Sequence, residues 1–136
     1  MLDNAKIQGG LVAYIKEQTE VTSLLANVNE VREDSWKGTD FAYPHVRVEM
    51  LPLRLSENQR CALSDSDASI IIFSEEKSSK EADTLAGVVA EQLRGKSFVR
   101  NGVRFSSISV DVIFPAMPTE ERWRSEVSLK MIVSLA

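Results

Sequence analysis

The sequence predicts an α+β fold, a mainly antiparallel sheet with two main helices packed on one face, and three segments carry that expectation. Residues 123–136 alternate: Trp123, Val127, Leu129, Met131, Val133 and Leu135 fall on one side, Arg124, Glu126, Ser128, Lys130 and Ser134 on the other. Residues 107–114 repeat the pattern, with Ile108, Val110, Val112 and Phe114 opposite Ser107, Ser109 and Asp111. Residues 78–95 read as an amphipathic helix, with Ala82, Leu85, Ala86, Val89 and Leu93 forming the buried stripe. Helices and strands that segregate in this way favour layers of α on β.

The elements follow in order. Ile7, Leu11, Tyr14 and Ile15 stand at helical spacing within residues 3–18, with Asp3 or Asn4 as cap, although Gly9 and Gly10 weaken the segment. A short helical turn is expected over residues 21–26 and a strand over 27–32. Residues 43–55 read as a strand whose apolar phase shifts after Met50, so a bulge or bend is expected there, consistent with Pro52. Residues 56–67 are polar and aperiodic and read as a long loop. Residues 68–73 are apolar on both sides, as expected of a central strand covered on two faces. Ser78 and Glu81 form a capping-box pattern, and Gly95 follows the helix it opens. Asn101-Gly102 is the chemistry of a two-residue type I′ turn. The eight residues 115–122, PAMPTEER, carry two prolines and three charges and read as the polar loop of the closing hairpin.

With 136 residues the chain is most simply one domain, residues 1–136, large enough to bury about two-thirds of its unfolded surface. Hydrophobic residues make up 43% and charged residues 26%, ordinary globular values, with no apolar run of the ~20 residues that span a bilayer. The N-terminal residues lack the apolar core of a secretory signal. One cysteine, Cys61, allows no internal disulfide and fits a reducing compartment. A net charge of −4 argues against a general nucleic-acid binder, which needs a basic face.

The chemistry-bearing residues are sparse. His45 is the only histidine and follows Pro44 at a strand start, where it reads as a partly exposed structural residue. One histidine and one cysteine do not make a zinc site, and no basic cluster beside Cys61 marks it as reactive. The acid pairs Glu75-Glu76, Glu120-Glu121 and Asp65 with Asp67 read as solvated loop charges, with a magnesium-dependent hydrolase as the sharper alternative. Gly95-Lys96-Ser97 follows a helix instead of opening one, the wrong context for a phosphate loop. These observations point away from an enzyme, with no catalytic, cofactor-binding or metal residues assigned. Trp36 and Trp123 lie in polar surroundings and are either core plugs or anchors for another protein. Arg54, Arg60, Arg122 and Arg124 each read singly as charges of a solvated face, with the rim of the same interface as the sharper alternative.

In element order the chain resembles the tail-completion or tail-terminator proteins of long-tailed bacteriophages, the head-to-tail joining family. The segments that carry the resemblance are the N-terminal helix, FAYPHVRVEM, the polar loop, SIIIF, EADTLAGVVAEQL and the closing WRSEVSLKMIVSL. The resemblance implies a structural virion protein on the head-proximal end of the tail. Six copies would form a ring on the tail tube, stop its polymerisation and offer a surface to the head-completion protein, while DNA passes through the lumen without specific binding. It implies no cofactor and no membrane. The loops over residues 56–67 and 115–122 would meet neighbours. The competing reading is a monomeric or dimeric protein-binding adaptor anchored by Trp36 and Trp123.

Overall fold

The computed structural model describes residues 2–34, 38, 42–54 and 63–136. Trp36, Arg60 and Cys61, with most of the expected loop over residues 56–67, lie outside the described residues.

The chain opens with helix α1, Asn4–Lys16. Asp3 is its cap, its carboxylate accepting the Lys6 N–H at 2.8 Å, so one of the first-turn donors without a helical partner is satisfied. Ile7, Leu11, Tyr14 and Ile15 are buried as the spacing predicts. Gly10 is buried with them for a steric reason: a Cβ there would meet two atoms of the Phe105 ring at 2.7 and 2.8 Å. The residue that weakens the helix locally is what lets it approach the sheet.

A four-residue helix, α2 (Thr19–Thr22), follows. The expected strand over residues 27–32 is displaced, because the Asn27 side chain accepts the Asn29 N–H at 2.9 Å and starts a 3-10 turn, Val28–Glu30. Extended structure begins only at β1, Val31–Glu33, which pairs parallel with β2, His45–Met50. The strand expected over residues 43–55 is shorter than that: β2 ends at Met50, where a bulge or bend is expected, and beyond it Arg54 makes only an isolated bridge to Asp65. The other pairings are antiparallel.

Strand β3, Ser64–Ser74, occupies the interior of the sheet between β2 and β6, Arg122–Leu135. Residues 64–67, expected in the loop, are therefore strand. They are held by the Val133-to-Lys130 stretch of β6, a long-range pairing that polar composition does not advertise. The short β4, Phe98–Arg100, and the long β5, Val103–Thr119, complete the order β1-β2-β3-β6-β5-β4. Asn101 and Gly102 turn β4 into β5 with φ of 54° and 75°, the left-handed pair of a type I′ turn.

Helix α3, Lys80–Leu93, buries Ala82, Leu85, Ala86, Val89 and Leu93. Its capping differs from the expected box. The residue before the helix is Ser79, which makes no side-chain cap, while the Ser78 hydroxyl accepts from the Lys80 N–H at 3.1 Å. Glu81 instead accepts the Ser74 hydroxyl at 2.8 Å, fastening the helix start to the end of β3. Gly95, at φ 71°, ends the helix.

All three helices lie on one face of the sheet and share a single apolar cluster with it. Val46 and Val48 of β2, Ile70 and Ile72 of β3, Val103 and Phe105 of β5 and Val127, Leu129 and Val133 of β6 meet the buried faces of α1 and α3. Tyr14 stacks on Phe98 with ring centroids 3.8 Å apart, and Phe98 stacks on Phe105 at 4.8 Å, joining the first helix to the sheet edge. No described helix covers the opposite face. Ile71 points there outside the core cluster, yet it is only 3% exposed, flanked in register by Arg47 and Glu126.

Candidate interaction surface

The closing hairpin is longer and more irregular than an alternating pattern allows. Sequence places a polar loop over residues 115–122, but β5 continues through Thr119 and only Glu120 and Glu121, with φ of 47° and 67°, form the turn. The prolines are accommodated because, among the described residues, β5 is an edge along this stretch: β4 pairs only with Val103, Arg104 and Phe105.

Three register shifts interrupt the pairing of β5 with β6, between Ser106 and Ser109, Val110 and Val112, and Phe114 and Met117. Each gives β5 one residue more than β6, which accounts for strands of 17 and 14 residues. The middle shift changes which side chains point where. Val110 pairs with Leu129 on the helix-covered side, whereas Val112 and Phe114 pair with Ser128 and Glu126 on the open side. The single apolar face expected of residues 108–114 is thus split. A one-residue slip reverses every following side chain.

At two of these shifts, freed polar groups find neighbours. At the first, where Ser107 has φ 52°, the Ile108 carbonyl accepts the Gly95 N–H at 2.9 Å. At the third, the Phe114 carbonyl accepts the Ser125 hydroxyl at 2.9 Å, and the Ala116 N–H donates to the Asp83 carboxylate at 2.7 Å. The first and third bulges are thus tied down locally.

What the hairpin displays is apolar. Val112, Ile113, Phe114 and Met117 are 40, 48, 43 and 63% exposed, more than such residues reach when they belong to a core. The open face behind them is a mosaic of opposite charges. Arg32, Arg47, Ile71, Glu126 and Phe114 form one cross-strand row, and Asp67, Lys130 and Ser109 another. Arg124 reaches Glu126 at 3.1 Å and Arg32 reaches Glu30 at 3.7 Å.

The residues expected to form an interface are scattered. Arg122 and Arg124 lie at the base of the turn and belong to the hairpin. The Arg122 guanidinium sits 3.7 Å from the Glu75 carboxylate and 4.9 Å from the Tyr43 ring centre. Trp123 is half-buried against the core edge, so its described surroundings match the core-plug alternative. Arg54 is exposed and bridges β-fashion to Asp65, away from the hairpin tip. Trp36 and Arg60 fall outside the described residues. Sequence reasoning passed over Val112, Phe114 and Met117. The available signal was the pair of prolines inside an apolar run, which marks an edge strand.

His45 departs from expectation: it is 4% exposed, not partly exposed, and its ring lies between those of Tyr43 and Phe73. Its Nδ1–H donates to the Ala42 carbonyl at 3.3 Å. Burial, followed by the positive charge of Arg47, lowers its pKa to about 4, so the ring is neutral at physiological pH.

Among the described residues the arrangement is a helical layer on one side of a sheet whose other face is open, with a projecting apolar hairpin. Sequence comparison finds no matching family model and no matching curated protein. Among solved structures, the fold is shared with a chain described as belonging to the virion of a native gene transfer agent particle, 15% identical. The superposition covers 94% of each chain with a TM-score of 0.72. A second solved chain, 12% identical, covers 97% of this chain and 93% of its own length with a TM-score of 0.64. The shared property at these identities is the fold.

Proposed function

We propose that the protein is a structural component of a phage or phage-like virion, acting as a tail terminator without enzymatic activity. In this reading a ring of six copies caps the tail tube and joins it to the head-completion protein. The observation that carries it is the end-to-end correspondence with a chain of a gene transfer agent virion. The element order that resembles the tail-completion family supports it independently. So does the exposed hairpin, because an assembling subunit keeps apolar surface that a monomer would cover.

The mechanism is capping. One surface of the ring docks on the last ring of the tube, the opposite surface does not repeat that geometry, and polymerisation stops. DNA crosses the lumen without being held, since a subunit of net charge −4 neutralises few phosphates. The reading is tested by adding purified protein to tail-tube subunits polymerising in vitro. The expected outcome is shorter tubes with protein at one end; tubes of unchanged length and bare ends would refute it.

A further inference from the structure

Asn101 is the only asparagine in the chain followed by glycine. The pair is chemically labile, because a glycine nitrogen reaches the preceding side-chain amide carbon with no Cβ in the way. Asn27 and Asn29 precede Val28 and Glu30 and lack that access. Asn101 and Gly102 are both exposed at the β4–β5 turn, and a Cβ built on Gly102 would meet nothing within 4 Å.

The folded chain holds this chemistry off. With φ of 54°, Asn101 lies in the left-handed region, where ψ places the next nitrogen on the far side of the Cα–C bond from the side chain. Helix α1 fixes the side chain as well: its Nδ2 donates to the Lys6 carbonyl at 3.1 Å. Gly9 leaves the room for that contact, since a Cβ there would stand 2.7 Å from Nδ2. On either side of Asn101, Arg100 Nε donates to the Glu17 carboxylate at 2.6 Å and the Ala136 N–H donates to the Gly102 carbonyl at 2.9 Å.

We infer that Asn101 is a deamidation site guarded by α1, and that its conversion unfastens the β4–β5 turn from the helix. When the turn opens, the Gly102 nitrogen attacks Cγ of Asn101, and the side-chain nitrogen leaves as ammonia, carrying the proton displaced from the Gly102 nitrogen. A succinimide remains. Water opens it at either carbonyl, giving aspartate or, where the original peptide bond breaks, isoaspartate. The net exchange is water for ammonia, with no oxidation or reduction. A carboxylate at position 101 has no N–H for the Lys6 carbonyl, and the isoaspartate adds a backbone methylene that a two-residue turn does not accommodate. The change is therefore one-way: a turn that has reacted does not refasten.

The test incubates the full-length protein at fixed pH and temperature, folded and in urea, and follows the amide-to-acid mass gain by peptide mapping. Conversion is expected at Asn101 and not at Asn27 or Asn29, about tenfold or more faster in urea. Asp3→Ala, which removes the cap over the Lys6 N–H and loosens that turn of α1, should raise the folded rate about fivefold and leave the urea rate unchanged. Gly9→Ala, which pushes on Nδ2 directly, should also raise it. No conversion in urea would overturn the site. Equal rates folded and in urea, or a folded rate indifferent to both substitutions, would overturn the guard. Asn101→Asp should speed amide exchange in the first turns of α1, and unchanged exchange there would overturn the release.

Discussion

The Asp83 carboxylate accepts the Ala116 N–H at 2.7 Å, and twelve residues on, just past the end of the same helix, the Gly95 N–H donates to the Ile108 carbonyl at 2.9 Å. Helix α3 is therefore fastened at both ends to bulges of β5. It acts as a splint along the strand that carries the exposed apolar side chains. A hairpin that would otherwise be marginally stable beyond the sheet body is thereby aimed in one direction.

Asp83→Ala removes the acceptor at the far end of the splint. Stability should fall by about 1 kcal/mol, since the bond is solvent-accessible. The more specific signature is local: amide exchange at Ala116 and Met117 should accelerate while the core of β3 stays protected. Asp83→Asn, which keeps an acceptor, should lie between. Unchanged exchange at Ala116 in the alanine variant would show that the helix does not hold the arm.

Gly10→Ala tests the packing of α1. A methyl group improves helix propensity by about 1 kcal/mol, but here it would collide with the Phe105 ring and approach the Arg100 carbonyl at 3.0 Å. The ring is fully buried and stacked on Phe98, so it has little room to move. The clash should win, with a net loss of about 1–3 kcal/mol by urea denaturation. A stabilised variant would contradict the close approach.

His45 sets an acid-side limit on stability. Its folded pKa of about 4 lies below the ordinary 6.5, so the unfolded chain binds more protons between those values. Stability contributed by the neutral ring is present above pH 6.5 and declines as pH falls towards 4. From this group alone the chain should be about 2 kcal/mol less stable at pH 5 than at pH 7. His45→Phe, which keeps an aromatic ring between Tyr43 and Phe73, should flatten that difference. An equally steep pH dependence in the variant would assign it to other groups.

Arg122→Glu with Arg124→Glu tests assembly. Both arginines are partly exposed and their ion pairs, to Glu75 and Glu126, are surface pairs of small individual effect. The doubly reversed monomer should melt within a few degrees of the parent. Introduced into a producing phage, the pair should yield unjoined heads and tails. Normal infectivity would remove these arginines from the interface.

Much of the fold is legible in the sequence because period and turn chemistry are local. The alternation in residues 123–136, the stripe from Ala82 to Leu93 and the Asn101-Gly102 turn each declare themselves within a few residues, and the structure follows them. What is not legible depends on distant partners. Ser64 to Asp67 look like loop and become strand because β6 pairs with them. Val112 and Phe114 turn to the open face because Asp111 is an extra residue opposite β6, which no alternation within β5 reveals. Glu81 leaves its capping box for Ser74 because the end of β3 lies beside the helix start. The candidate surface was harder still. Large polar-framed residues such as Trp123 drew attention, but Trp123 packs at the core edge while Met117 stands out.

The most direct test of the central claim is negative-stain electron microscopy of the purified protein across a concentration series, with and without assembled tail tubes. Six-fold rings, free or seated on one end of a tube, are the predicted result. Particles that remain monomeric or dimeric and ignore the tubes would contradict the capping account and favour a binding module.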